Sequence, residues 1–361
     1  MKFRVLAINP GSTSTKVAVY DNENLIMSES IAHSSEELSK YKCNMDQLEM
    51  RTEAIEKLLE EKGIDVKSLN AVVGRGGALP PVKSGAYRVN DLMIDTLKNR
   101  PVLDHASNLG AVIAKSIADS VGIDSFIYDS ISVDEMSDVA RISGLKEFER
   151  TSMGHALNTR AMALKYAKDK GLDYKSLNLI VAHVGGGATV YLHEHGQMSD
   201  MISDDEGPFS PDRSGRVPCI ALIEECYANN FSLYDMKKKI RGKGGIYSYL
   251  NTNDIRKVEE MISDGDKYAE MVYDAMVYQM AKAIGEMATV VDGDVDAIIV
   301  TGGIAHSKMF TSKLKKKVGF ISHVEIMPGE NEMESLAFGA LRVLKGEETA
   351  REFDFVNSIK K

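Results

Sequence analysis

Two short turns in this sequence are built from residues that offer phosphate oxygens many donors and few obstacles. The first lies within FRVLAINPGSTSTKVAVY, residues 3–20, and the second within LIVAHVGGGATVYL, residues 179–192. Each sets small hydroxyl or glycine residues between two apolar strands, then meets a polar turn (21–24 and 193–196) and a third strand-like stretch. A turn that exposes backbone N–H groups and small hydroxyls, held between buried strands, is a cradle for phosphate oxygens. Two such cradles suggest duplicated domains gripping one polyphosphate from both sides.

Strands alternate with helices along the rest of the chain, which is an α/β pattern. Leu48, Ile55, Leu58 and Leu59 recur at helical spacing across 45–62, an amphipathic surface helix, and another helix follows HASNLG at 105–110. The longest helical pattern runs from about 264 to 290, with Tyr268, Met271, Val272, Ala275, Met276, Gln279, Ala283 and Met287 predicted as its buried face. VDAIIVTGGIA at 295–305 echoes LNAVVGRGGA at 69–78, so two matched pairs occur in the same order in each half. The expected domains are 1–150 and 151–334, with a final helix at 335–345 crossing back so that 335–361 completes the first.

A chain of 361 residues exceeds the usual limit for one core, in keeping with two domains. A net charge of -9 argues against nucleic acid or an anionic membrane as partner. No apolar run reaches membrane-spanning length and no signal peptide precedes the first strand, so a cytoplasmic protein is expected. Cys43, Cys219 and Cys226 form no CxxC pair and read as small core residues in a reducing compartment.

NPGSTSTK (9–16), VGRGG (73–77), DHASN (104–108), YDS (128–130), HVGGG (183–187), DRSG (212–215), NDIR (253–256), TGGI (301–304) and PGENEME (328–334) are each weak signals. As an ordered set they resemble the acetate and butyrate kinases, within the actin-like, sugar-kinase and chaperone-ATPase superfamily. That resemblance implies a duplicated actin-like (ribonuclease H-like) α/β ATPase fold, two domains around a central cleft. It implies reversible phosphoryl transfer between ATP and butyrate, giving butyryl phosphate and ADP, with Mg²⁺. Acetate, propionate and branched short acids are alternative substrates, and a homo-oligomer is the implied assembly. Sugar kinases and ATP-driven clamps share the superfamily but leave paired arginines unused.

The difficulty of such a reaction is electrostatic, because an anionic nucleophile must approach an anionic phosphoryl group. Arg75 and Arg213, in Gly-flanked turns, are the candidates to supply fixed positive charge, the alternative being surface ion pairs. The resemblance makes Asp129 the catalytic aspartate, with a turn cap as the competing reading. It places His155 at the transferring group, although Met153-Gly154 and Asn158 stand where the family has an aromatic residue and a second histidine. Glu334, or Glu332, matches the metal-side glutamate, with Asn9 beside metal and substrate. His105 matches a histidine near the acyl pocket, with a turn residue an equal alternative. Gly77 is expected to leave room there for extra methylenes. For the nucleotide, the resemblance implies Ser12, Ser14 and Lys16 from the first turn, and His183 with Gly185, Gly186 and Gly187 from the second. Asp254, Arg256, Gly302, Gly303 and Ile304 would lie along the base and ribose.

Overall fold

The computed structural model describes residues 2–228 and 231–355. The chain forms two compact units, Met1–Glu135 with Asn331–Lys361, and Met136–Glu330. Residues 356–361 of the stretch expected to complete the first domain lie outside the described residues.

In the first unit, β1 (Arg4–Pro10) and β2 (Ser14–Asp21) form a hairpin that β3 (Asn24–Ala32) extends antiparallel. On the other side of β1 lie β4 (Ala71–Arg75), β5 (Ala86–Arg88) and β6 (Asp124–Tyr128). β4 pairs parallel with β1, β6 parallel with β4, and β5 antiparallel with β6; a short strand, Arg351–Glu352, closes that edge. β1 and β4 occupy the middle of the sheet, which is why both are nearly continuous apolar runs. The two-residue period of a strand sends Leu6, Ile8 and Val72 into one core, with Ile55, Leu59 and the Asn108–Val121 helix. The same alternation turns Asn9 and Arg75 to the opposite face. There the Glu332–Leu344 helix packs, Phe338 edge-on to Tyr20 and Gly339 against the ring of Tyr128.

The second unit repeats the plan. β7 (Asn178–Val184), β8 (Ala188–Glu194) and β9 (Gln197–Ile202) form an antiparallel meander. β10 (Ala297–Thr301) runs parallel beside β7, and β11 (Val324–Ile326) parallel beside β10. The order β11-β10-β7-β8-β9 matches β6-β4-β1-β2-β3, so the repeat read in the sequence is also a repeat of topology. Ile180, Ala182 and Val184 face a core shared with the Lys267–Val290 helix. Leu179 and Val181 face the Ala156–Lys170 helix, and His183 continues that second face.

Two expectations about packing are corrected. The buried stripe of the Lys267–Val290 helix runs through Ala269, Val272, Tyr273, Met276, Met280, Ala283 and Met287, while Tyr268 and Met271 are exposed. At about 3.6 residues per turn, Met271 and Met280 point in opposite directions, so a stripe centred near Met280 excludes Met271. The cysteines are not core residues either. The Cys219–Ala228 helix buries none of its residues, so Cys219 is exposed and Cys226 only partly covered, and Cys43 is exposed as well. Among the described residues, no helix is long and apolar enough to cross a membrane.

Candidate active site

The first unit holds a pocket lined by Asn9, Pro10, Gly11, Ser14, Lys16, Arg75, His105, Ser107 and Glu332. Its assembly follows from local geometry. β1 and β4 end side by side, delivering Asn9 and Arg75 on one face. A Cβ at Gly74 would stand 2.0 Å from the Gly110 carbonyl oxygen, and one at Gly110 2.3 Å from that of Arg75. Only this pair of glycines lets the Asn108–Val121 helix start against the end of β4. His105 and Ser107 thereby reach the pocket, with the His105 Nδ1 2.8 Å from the Ser107 hydroxyl. Burial, and then the positive charge of Arg75, lowers the pKa of His105 and favours its neutral ring.

Glu332 is the first residue of the Glu332–Leu344 helix, after Asn331 turns the chain at φ 46. It forms an ion pair with Arg75, and the Asn9 Nδ2 donates to its Oε2 at 2.7 Å. Burial alone would raise the Glu332 carboxyl, but Arg75, Lys16 and Asn9 together hold it below the usual carboxylate range. Glu334, two positions on, points about 200° around the helix from Glu332. Its charge instead acts on Tyr20, whose phenol is raised first by burial and then by that carboxylate. The glutamate in the pocket is therefore Glu332.

The space expected beside Gly77 is filled. A Cβ there would stand 2.5 Å from the Asn108 Oδ1 and 2.7 Å from its Cα, and one at Gly76 would stand 2.3 Å from the Ser130 Cβ. These glycines are demanded by close packing of the turn after β4, and leave no volume for acyl methylenes. Asp129 follows β6 in the left-handed region at φ 39 and is buried. Its Oδ1 accepts from the Gly85 N–H at 2.7 Å, and its own N–H donates to the Gly85 carbonyl at 3.3 Å. That exchange holds a backbone conformation that side-chain-bearing residues seldom adopt. Ser12 is exposed on the turn between β1 and β2.

In the second unit, His183 leaves β7 on the face of the Ala156–Lys170 helix and meets Asn158, with Nδ1 2.7 Å from the Asn158 Oδ1. The Asn158 Nδ2 donates to the Glu330 carbonyl at 2.6 Å, so its Oδ1 is the acceptor and the His183 proton sits on Nδ1. His155 stacks on His183 with ring centroids 3.8 Å apart, and its Nδ1 lies 3.1 Å from the Thr189 hydroxyl. Gly185, Gly186 and Gly187 form the turn between β7 and β8. None has a positive φ, and Cβ atoms at Gly186 and Gly187 would make only ordinary contacts. A Cβ at Gly185 would stand 3.3 Å from the His183 Nε2, and buried Gly185 donates its N–H to the Gly187 carbonyl at 2.9 Å. At Gly186 and Gly187 neither strain nor packing demands glycine, and an exposed or half-exposed backbone explains them.

Arg213 stands near this turn. Its Nη1 donates to the Asp212 Oδ1 at 2.8 Å and its Nε to the Asp204 Oδ2 at 3.3 Å, while Arg241 holds the other Asp204 oxygen at 2.6 Å. Burial raises the Asp212 carboxyl, Arg213 opposes that, and Asp204 adds to it. Ser210 ties the parts together, its hydroxyl donating to the Gly186 carbonyl and accepting from the Arg213 N–H at 3.2 Å. Gly302 crosses β7 closely, since a Cβ would lie 2.4 Å from the Val184 carbonyl oxygen. A Cβ at Gly303 would meet open space, and Ile304 is buried. Asp254 N-caps the Ile255–Ser263 helix, and Arg256 holds its carboxyl low, at about 2.

Sequence reasoning missed Ser210 and Asp204, and noticed Asn158 only as a departure from a family pattern. Ser210 and Asp204 meet Arg213 from just upstream of the DRSG motif, but their second contacts, at Gly186 and Arg241, and those of Asn158, lie far along the chain.

The Acetokinase family model matches residues 153–337. Butyrate kinase 2 of Clostridium acetobutylicum is 48% identical over 98% of this chain and 100% of its own. A probable butyrate kinase 2 of Caldanaerobacter subterraneus is 49% identical over 97% of this chain and 99% of its own. Among solved structures, acetate kinase from Porphyromonas gingivalis superposes with a TM-score of 0.78 at 18% identity, covering 95% of this chain and 100% of that one. Two like meanders, each extended by parallel strands, are the actin-like ATPase architecture of these kinases. The chain belongs to the acetokinase family.

Proposed function

We propose that this chain transfers the γ-phosphoryl group of ATP to butyrate, reversibly, giving butyryl phosphate and ADP. The observation that carries the reading is the first unit's pocket, where Lys16 and Arg75 converge with Ser14, Ser107 and His105 around a single carboxylate, Glu332. Such a site suits a small anion. Butyrate, among short acids, is supported by the near full-length likeness to proteins named butyrate kinase.

In the forward direction a carboxylate oxygen of the acid forms a bond to the γ-phosphorus while the bond to the ADP oxygen breaks. The acid is already ionised at pH 7, so no side chain has to remove a proton. What the residues must supply is charge and alignment. Arg75, now paired with Glu332, would turn its forked donors to the incoming carboxylate or phosphoryl oxygens. Arg213 would do the same at the phosphate end, with Asp204 and Asp212 holding it in place until then. His155 would donate along the phosphoryl path with His183 stacked against it, and the backbone exposed at Gly186 and half-exposed at Gly187 would take the nucleotide phosphates. Gly302, Gly303 and Ile304, with Asp254 and Arg256, are the proposed nucleoside contacts. Asp129 would act by fixing the end of β6.

The residues also fit a magnesium ion. Mg²⁺ keeps several waters and uses one or two carboxylates plus substrate phosphates. Among the described residues no three acidic, histidine or cysteine side chains gather as a metal cage, but Glu332 offers one hard oxygen donor beside the Asn9 amide. When bound with ATP, the ion would neutralise phosphate charge.

The test is trapping with hydroxylamine. Purified chain, ATP and Mg²⁺ with butyrate should yield butyryl hydroxamate, with acetate the poorest of acetate, propionate, butyrate and valerate. Hydroxamate with none of these acids would refute the assignment.

A further inference from the structure

Beneath the turn between β1 and β2 lies a guanidinium that the reaction described above does not use. Arg51, on the Leu48–Glu61 helix, has 0% exposure. Its Nη1 donates to the Ser14 carbonyl at 3.1 Å and to the Thr15 hydroxyl at 2.9 Å, and its Nη2 reaches the Ser12 carbonyl at 3.4 Å. Gln47, one helical turn earlier, accepts from Nε at 3.0 Å and from Nη2 at 2.8 Å. The Thr15 hydroxyl also meets the His33 Nε2 at 2.9 Å, and the His33 N–H donates to the Thr13 carbonyl at 2.9 Å.

Every one of these acceptors is neutral. The nearest acid to act on the cluster is Glu37, 3.8 Å from His33 and felt by Arg51 only through space. A buried charge is costly unless it is paired, and its usual partner is a carboxylate. A cation kept dry with neutral acceptors on every donor is the complement of an anion that arrives later. Its hydrogen bonds also set the turn. Because the C=O and N–H of a trans peptide point in opposite directions, drawing the Ser12 carbonyl toward Arg51 turns the Thr13 N–H away from it.

We infer that Arg51 is a positioning residue for phosphoryl transfer: it braces the Gly11–Ser14 turn from behind and places positive charge under the phosphate that the turn contacts. The inference rests on reading that turn as a phosphate contact. Arg51 touches no reacting atom and acts through Ser12, Ser14 and Thr15.

Arg51→Met keeps an unbranched apolar stem, shorter than arginine's, and removes the guanidinium and its charge. The Ser12 and Ser14 carbonyls and the Gln47 Oε1 would lose their donor, so the variant's melting temperature should fall by several degrees, and kinetics are read on the folded protein. Turnover should fall about tenfold or more while the KM for butyrate changes by no more than about twofold, the pattern of an interaction made chiefly in the transition state. Arg51→Lys keeps charge but loses the fork, and its kcat should lie between the two. Wild-type kcat in a folded Arg51→Met, or equal losses in Met and Lys variants that track a lowered melting temperature, would assign Arg51 to packing alone. Should Arg51→Met not fold, Arg51→Lys decides, since unchanged kcat there overturns the inference and a lowered kcat at constant KM supports it. Inorganic phosphate titrated into both proteins separates this question from the reaction itself. Its affinity should be about tenfold weaker in the folded variant whether or not the wild type forms a hydroxamate, and equal affinities would overturn the role of Arg51.

Discussion

Asn9-Pro10-Gly11 in the first unit and His183-Val184-Gly185 in the second occupy the same place in the same hairpin, and they have diverged in chemistry while keeping their geometry. Across the hairpin, Asn9 pairs with Lys16 and His183 with Thr189. The first turn, through Gly11, Ser12 and Thr13, presents hydroxyls beside a lysine. The second, Gly185 to Gly187, exposes backbone at Gly186 that carries no side chain. In both, a turn carbonyl is held from behind, by Arg51 at Ser12 and by Ser210 at Gly186. Duplication has thus preserved the strand scaffold and the bracing of the turn, and left side chains free to specialise. Charged side chains suit a small anion that must be gripped and released, whereas exposed N–H groups suit a polyphosphate lying along the backbone.

The comparison is tested most severely at the two arginines. Arg75→Ala and Arg213→Ala should each lose about 2.7 to 4 kcal/mol of transition-state stabilisation, seen in kcat for butyryl phosphate formation. Their stabilities should differ. Removing Arg75 strips the half-buried Glu332 of its ion pair, whereas Asp204 keeps Arg241 when Arg213 is lost. Thermal unfolding should therefore move further for Arg75→Ala, and equal shifts would mean that the two clamps are built alike.

A smaller effect separates glycines required by packing from glycines kept for access. Gly77→Val collides with the backbone of Asn108 and should destabilise by about 1 to 3 kcal/mol or more, whereas Gly186→Val meets only ordinary contacts and should melt within a degree or two of wild type. Next, Glu332→Ala should raise the Mg²⁺ concentration for half-maximal rate about tenfold, with Glu334→Ala close to wild type. The reverse ranking would return the metal role to Glu334.

A further effect concerns pH. The second unit buries His193 on β8, where burial and then Arg160 hold its pKa down to about 3. The unfolded chain regains a value near 6.5, so between those values the unfolded state binds the extra proton. Stability from this residue is intact above about pH 6.5 and is lost as pH falls, by up to about 1.4 kcal/mol per unit. Urea unfolding at pH 7 and pH 5 should show a shallower loss in His193→Asn, and parallel losses would clear His193 of the effect.

Much of the scaffold was legible because a repeated hairpin leaves a repeated pattern of apolar runs and small-residue turns. Asn9, Arg75 and His183 were legible for the same reason, standing at strand ends beside glycine. Gly77 was misread because a glycine does not record what fills the space beside it. Glu332 and Glu334 could not be ordered from sequence, since their facing depends on where Asn331 starts the helix. Arg51 was passed over although it breaks the apolar stripe between Leu48 and Ile55, because its partners at Ser12, Ser14 and Thr15 lie far away in the chain.

Binding of ADP tests the division between the two turns most directly. Calorimetric titration of ADP with Mg²⁺ into wild type, Arg75→Ala and Gly186→Val should give affinities for wild type and Arg75→Ala that agree within about threefold, and an affinity for Gly186→Val weaker by about tenfold or more. Loss of ADP binding in Arg75→Ala, with wild-type affinity in Gly186→Val, would contradict the assignment of the nucleotide to the glycine turn.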